Sequence, residues 1–140
     1  MKKKRIVITG MGVVSCFGND VDAFYQSLLA GKSGIVPITE FPCEEYPTRF
    51  AGTISNFETG EYMDKKQARR VDKYISYTMV AGKKALEHAG LKGDSFDQLK
   101  KERCGILIGS GMGGMTMFAD GVQTLLEKGH TKVSPFFVPY

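Results

Sequence analysis

Two short apolar runs stand out along the chain, Arg5-Ile6-Val7-Ile8-Thr9 and Cys104-Gly105-Ile106-Leu107-Ile108. Neither alternates polar with apolar, so each predicts a strand covered on both faces, as in a parallel sheet. Both end in a Gly-x-Gly turn, at Gly10-Met11-Gly12 and at Gly109-Ser110-Gly111. Two parallel neighbours in one sheet would carry this shared design.

Elsewhere the apolar positions recur at helical spacing. Val21, Phe24, Tyr25, Leu28 and Leu29 predict a helix capped by Asn19 or Asp20 and ended by Gly31. Met115, Phe118, Ala119, Val122 and Leu125/Leu126 predict another, ended by Gly129. Between them Asp64 opens an amphipathic pattern expected to run unbroken to about Ala89. Ala68, Val71, Ile75, Met79, Gly82, Leu86 and Ala89 share one stripe, with Lys66, Arg69, Arg70 and Lys73 opposite. From Ser33 to Tyr62, prolines 37, 42 and 47 predict a looped excursion holding one short strand within Arg49–Ser55. Asp94 to Lys101 reads as a polar connector.

Composition narrows the class. The chain has 140 residues with 42% hydrophobic and 24% charged, the balance of a folded globular domain. No apolar run approaches a membrane span, and Met1-Lys2-Lys3-Lys4-Arg5 leads into a strand rather than a signal core. The expected setting is therefore without a membrane, in a cytosol or an organelle stroma. Cys16, Cys43 and Cys104 are odd in number and widely spaced, which fits neither a disulfide framework nor a CxxC metal site. A net charge of +4 is too small to argue for nucleic acid, which demands many simultaneous phosphate contacts.

Candidate chemistry gathers at two places. Gly109-Ser110-Gly111-Met112-Gly113-Gly114 satisfies G-x-G-x-x-G between strand and helix, so an NAD(P)-binding Rossmann-like module is one reading. The acidic residue that such a module places after its next strand is missing. The other place is the dense basic set Lys65, Lys66, Arg69, Arg70 and Lys73, interrupted only by Asp72 among the acids. Without interleaved aromatics it suits an acidic protein better than a nucleic acid. His88 and His130 have no partner at metal-ligand spacing, and no base is specified for any cysteine, so neither a metal site nor a catalytic dyad is expected.

The segment Val133-Ser134-Pro135-Phe136-Phe137-Val138-Pro139-Tyr140 is apolar where a chain end is ordinarily polar. It predicts that the domain continues. Taken together, Arg5-Ile-Val-Ile-Thr-Gly-Met-Gly-Val-Val-Ser, Leu29-Ala-Gly-Lys-Ser-Gly-Ile, Arg70-Val-Asp, Val80-Ala-Gly, Gly109-Ser-Gly-Met-Gly-Gly and Ser134-Pro-Phe-Phe-Val-Pro resemble, in order, the opening third of a known family. The family is the β-ketoacyl-acyl carrier protein synthases of type II fatty acid synthesis, the synthase I/II group.

That resemblance implies a thiolase-like α-β-α-β-α fold with a mostly parallel sheet flanked by helices. Residues 1–140 would be the N-terminal portion of its N-terminal domain, incomplete at the C-terminal end. It implies a decarboxylative Claisen condensation of an acyl thioester with malonyl-acyl carrier protein, no cofactor, and a homodimer. The nucleophilic cysteine and two histidines of the family would lie beyond Tyr140, so no catalytic residue is expected within the chain and residues 1–140 alone should be inactive. Gly111 and Met112 would wall the acyl pocket, and Phe137 would line the pocket of a second copy. Lys65, Lys66, Arg69, Arg70 and Lys73 would dock the acidic acyl carrier protein.

Overall fold

The first helix, α1 (Val21–Leu29), forms where the spacing predicts it, because both of its ends are chemically marked. The Asp20 carboxylate accepts the Ala23 amide at 2.8 Å, and Gly31 takes a positive φ of 63° just past the last turn. These assignments come from a computed structural model that describes residues 4–135 and 137. After α1 come β1 (Val36–Pro37), β2 (Phe50–Ala51), α2 (Lys65–Ala68), α3 (Lys73–His88), α4 (Asp94–Asp97) and α5 (Met115–Lys128). The chain divides into two units. One runs to Glu58 and takes up Ala81–Leu99; the other comprises Thr59–Val80 and the residues from Lys100 on.

In the first unit, the turn at Gly10-Met11-Gly12 lies against the second half of α3. A methyl group on Gly10 would fall onto the carbonyl oxygen of Ala85 and within 2.7 Å of the Ala89 amide nitrogen. One on Gly12 would fall onto the carbonyl oxygen of Ala81 and within 2.8 Å of the Ala85 nitrogen. Backbone meets backbone there, and only glycine permits it. The Met11 amide donates to His88 Nδ1 at 3.0 Å, so His88, although exposed, is tied to a turn distant in sequence. Further on, β1 and β2 pair antiparallel, Val36 with Ala51 and Pro37 with Phe50. The predicted strand within Arg49–Ser55 is thus present but reduced to two residues. Among the described residues of this unit Cys43 is the buried apolar side chain, and all three cysteines are free thiols.

The second unit holds the denser core. Met63, Val71, Ser76 and Val80 are buried, Val80 completely, and the Ser76 hydroxyl donates to Met63 Sδ at 3.7 Å. Helix α5 follows its predicted pattern and stops at Gly129, which has a φ of 81°. Phe137 stacks on Phe118 with ring centroids 5.9 Å apart and lies against Gly121, where any side chain would meet its ring.

One expectation requires correction, and a second has no counterpart among the described residues. The unbroken helix from Asp64 to Ala89 is instead two helices, α2 and α3, separated by a turn at Arg69–Asp72. The reason is a second capping residue: Asp64 caps α2 through the amides of Lys66 and Gln67, and Asp72 stands immediately before α3 with its own carboxylate 3.4 Å from the Tyr74 amide. The second concerns the sheet. Among the described residues neither Arg5–Thr9 nor Cys104–Ile108 enters a ladder, and the ladder formed is antiparallel. The side chains of these runs are uncovered, Ile6 at 94%, Ile106 at 90% and Leu107 at 101% exposure. A strand buried on both faces needs helices and neighbouring strands around it, and nothing in the described residues supplies them to these two runs.

Candidate functional site

The glycine turn before α5 is built by a serine. Ser110 Oγ accepts the Gly113 amide at 2.9 Å, closing a tight local turn, and Gly113 takes a φ of 63°. Of the glycines in Gly109–Gly114, this is the one whose backbone requires glycine. A methyl on Gly109 or Gly111 would meet nothing within 4 Å. Met112 sits at the apex of the turn with 74% of its surface exposed, apolar where a phosphate cradle would want bare backbone.

Beside the turn lies an apolar cleft of about 370 Å³ lined by Tyr74, Ile75, Thr78, Met79, Ile108 and Ser110. Its walls are the first turns of α3 and the end of the second apolar run. The structure therefore brings Ser110 and Ile108 to the cleft, while Gly111 and Met112 follow directly in the chain and Phe137 lies elsewhere, packed against Phe118 and Gly121 of α5. The sequence pattern gave no sign of Tyr74 or Thr78 as lining residues, because both fall beside the apolar stripe of the single helix that the periodicity predicted, not within it.

The basic set is presented on a helix, turn, helix corner. Lys65 and Lys66 are in α2, Arg69 is its C-cap, Arg70 lies in the turn and Lys73 opens α3; all five are exposed. Lys73 occupies the end of a helix where the macrodipole disfavours a cation by about 0.3–1 kcal/mol. Helix stability therefore does not account for its place there. Asp72, by contrast, is buried at 9% exposure beneath the same corner.

Nucleotide binding by the glycine turn fails on charge. The N-terminus of α5, where a pyrophosphate would sit, has its Met117 amide 3.3 Å from the Asp72 carboxylate. A fixed anion there repels a second one. No described group of three or more His, Cys, Asp or Glu is placed to hold a metal, and no described helix is long and apolar enough to cross a membrane. Two of the thiols meet backbone carbonyls: Cys104 Sγ donates to that of Lys100 at 3.4 Å, and Cys43 Sγ to that of Ile38 at 3.7 Å.

The family described as "Beta-ketoacyl synthase, N-terminal domain" matches residues 3–140, and the chain belongs to it. Among curated relatives, 3-oxoacyl-[acyl-carrier-protein] synthase I, chloroplastic, of Arabidopsis thaliana is 56% identical over 138 residues, 99% of this chain and 29% of the relative. The 3-oxoacyl-[acyl-carrier-protein] synthase 2 of Vibrio cholerae is 48% identical over 139 residues, 99% of this chain and 33% of the relative. The chain thus spans about a third of the length of these relatives. Among solved structures, a type II polyketide ketosynthase in complex with its acyl carrier protein aligns over 98% of this chain and 34% of its own, with a TM-score of 0.74 and 27% identity. A β-ketoacyl synthase from Burkholderia phymatum gives the same TM-score and identity over 96% of this chain and 33% of its own. The backbone of this chain therefore follows that of ketosynthases.

Proposed function

We propose that these residues form the N-terminal portion of the N-terminal domain of a 3-oxoacyl-[acyl-carrier-protein] synthase, working in fatty acid elongation. The observation that carries the proposal is the family match over residues 3–140, supported by relatives of that name at 48–56% identity across the chain. The reaction joins an acyl group to the two-carbon unit of malonyl-acyl carrier protein. The acyl group moves from its carrier onto an enzyme thiol; the malonyl unit loses CO2; the resulting carbanion attacks the acyl thioester carbon and expels the thiolate. The nucleophile and the histidines that steady the oxyanion belong, on this reading, to the part of the relatives that this chain does not span.

What these residues contribute is recognition. Gly111 and Met112 are proposed as the gate of the acyl pocket: an apolar side chain on a tight serine-closed turn can touch an alkyl chain without desolvating any charge of its own. Phe137, seated on Phe118 and Gly121, is proposed to line the pocket of a second copy in a homodimer. Lys65, Lys66, Arg69, Arg70 and Lys73 are proposed to dock acyl carrier protein, in keeping with the neighbour solved with its carrier bound. In the assembled enzyme the runs 5–9 and 104–108 would be strands of the mostly parallel sheet of a thiolase-like fold, covered by elements contributed from the remaining length. Either the bacterial cytoplasm or the plastid stroma suits this role, since relatives of both origins match.

Two measurements test the reading. The polypeptide made from the native gene, weighed intact, should exceed 15.4 kDa about threefold, and should convert acyl- and malonyl-acyl carrier protein into 3-oxoacyl product with release of CO2. Residues 1–140 alone should form none, and product from them would overturn the assignment of the nucleophile to the missing length. In the active enzyme, Met112→Ala should change kcat/KM by about tenfold or more for the longest accepted acyl chain and much less for the shortest, since a single methylene in an apolar pocket is worth about 1–3 kcal/mol. Chain-length profiles of the products would check this.

A further inference from the structure

Asp72 is the buried carboxylate of the described chain, and it serves two helices at once. Oδ1 lies 3.4 Å from the Tyr74 amide at the start of α3, and Oδ2 accepts the Met117 amide in the first turn of α5 at 3.3 Å. Its backbone carbonyl also accepts the amides of Ile75 and Ser76, at 3.1 and 3.4 Å. Gly114, the residue that enters α5, lies against it: a Cβ built there would stand 3.4 Å from Asp72 Cβ and 3.6 Å from both Oδ2 and the Tyr74 ring. The turn carrying Met112 is thus held at both ends. Ser110 closes it on one side, and Asp72 pins the helix into which it runs on the other.

The chemistry of a carboxylate suits this task in a way its nearest relatives do not. Two acceptor oxygens on one carbon can meet two amide donors from different helices. Asparagine has one such oxygen, so its NH2 group would confront one of the two amides donor against donor. Serine keeps the capping function for α3 but is too short to reach α5.

We infer that Asp72 is a positioning residue that sets acyl-chain selectivity by holding the Gly109–Gly114 turn, and with it Met112, in place. This rests on the condensing-enzyme reading above. The same residue immediately precedes Lys73 and follows Arg70 by two positions, so the corner proposed to receive the carrier and the turn proposed to gate its cargo share one anchor.

The test uses the full-length enzyme with Asp72→Ser and Asp72→Asn, assayed against acyl carriers of graded chain length, with thermal melting measured in parallel. In Asp72→Ser, which keeps the cap of α3, the ratio of long-chain to short-chain kcat/KM should shift by about fivefold or more, and the shift should largely vanish when Met112 is already alanine, because coupled residues are non-additive. Asp72→Asn should shift it in the same direction. A uniform loss across all chain lengths, or a shift additive with Met112→Ala, would overturn the inference while leaving the condensing function intact. If the native full-length protein forms no 3-oxoacyl product from any carrier, the functional reading falls and this inference falls with it.

Discussion

Gly12→Ala should destabilise the protein by about 3 kcal/mol, at the upper end of overpacking costs, and Gly10→Ala by a similar amount. The added methyl would overlap the carbonyl oxygen of Ala81 in one case and of Ala85 in the other. A flexible side chain in the way could rotate aside, but here the obstacle is helix backbone. Relief would require α3 to move away from the turn, lengthening the 3.0 Å bond from the Met11 amide to His88. The comparison that gives the result meaning is Gly82→Ala on the same helix. A methyl there meets nothing within 4 Å, and alanine is favoured over glycine in a helix interior by about 1 kcal/mol, so this change should stabilise. Denaturant midpoints for the three variants should therefore split in sign. Equal shifts for Gly12→Ala and Gly82→Ala would mean that the turn does not rest on the helix.

The second large effect is electrostatic. Reversing Lys66, Arg69 and Arg70 together to glutamate should abolish measurable binding of acyl carrier protein to the full-length enzyme at physiological salt. Complementary charge raises association rates by about 10 to 10³-fold, and the triple change turns attraction into repulsion. In the native enzyme the association rate should fall as salt shortens the Debye length from about 8 Å toward 3 Å, and in the triple variant it should not. Lys128→Glu, a single charge reversal at an exposed lysine at the end of α5, away from the corner, should leave the carrier affinity within about twofold, as scattered surface charges ordinarily do. Surface plasmon resonance across a salt series would measure both. Retention of tight binding by the triple variant would remove the basic corner from the docking surface.

How far the sequence discloses this architecture depends on the range of the signal. Helices α1 and α5 were legible because their punctuation is local: Asp20 and Gly31 for one, Gly129 for the other. The break at Arg69–Asp72 was not, because Ala68, Val71 and Ile75 keep helical spacing across it, and a single turn does not disturb a period of 3.6. The clue lay in Asp72 as a second capping residue, and it reads as a cap only once its burial is known. The two apolar runs declare that they want a sheet but cannot say which neighbour completes it, since pairing depends on residues far away in the chain. The same distance hid the bond between Met11 and His88, which no local pattern encodes. At the site, the basic cluster was visible as composition, whereas the cleft walls Tyr74 and Thr78 were not, because their orientation follows from where α3 begins.

The bare runs 5–9 and 104–108 also bear on how such a protein must be made. An apolar, β-branched segment with unpaired backbone donors and acceptors is a template for any other strand, including the same segment in another molecule. Translation proceeds at about 5–20 residues per second, so the first run waits many seconds before the second leaves the ribosome. Throughout that interval exposed Ile6–Ile8 makes the nascent chain an aggregation hazard, and co-expressed chaperones should raise the soluble yield.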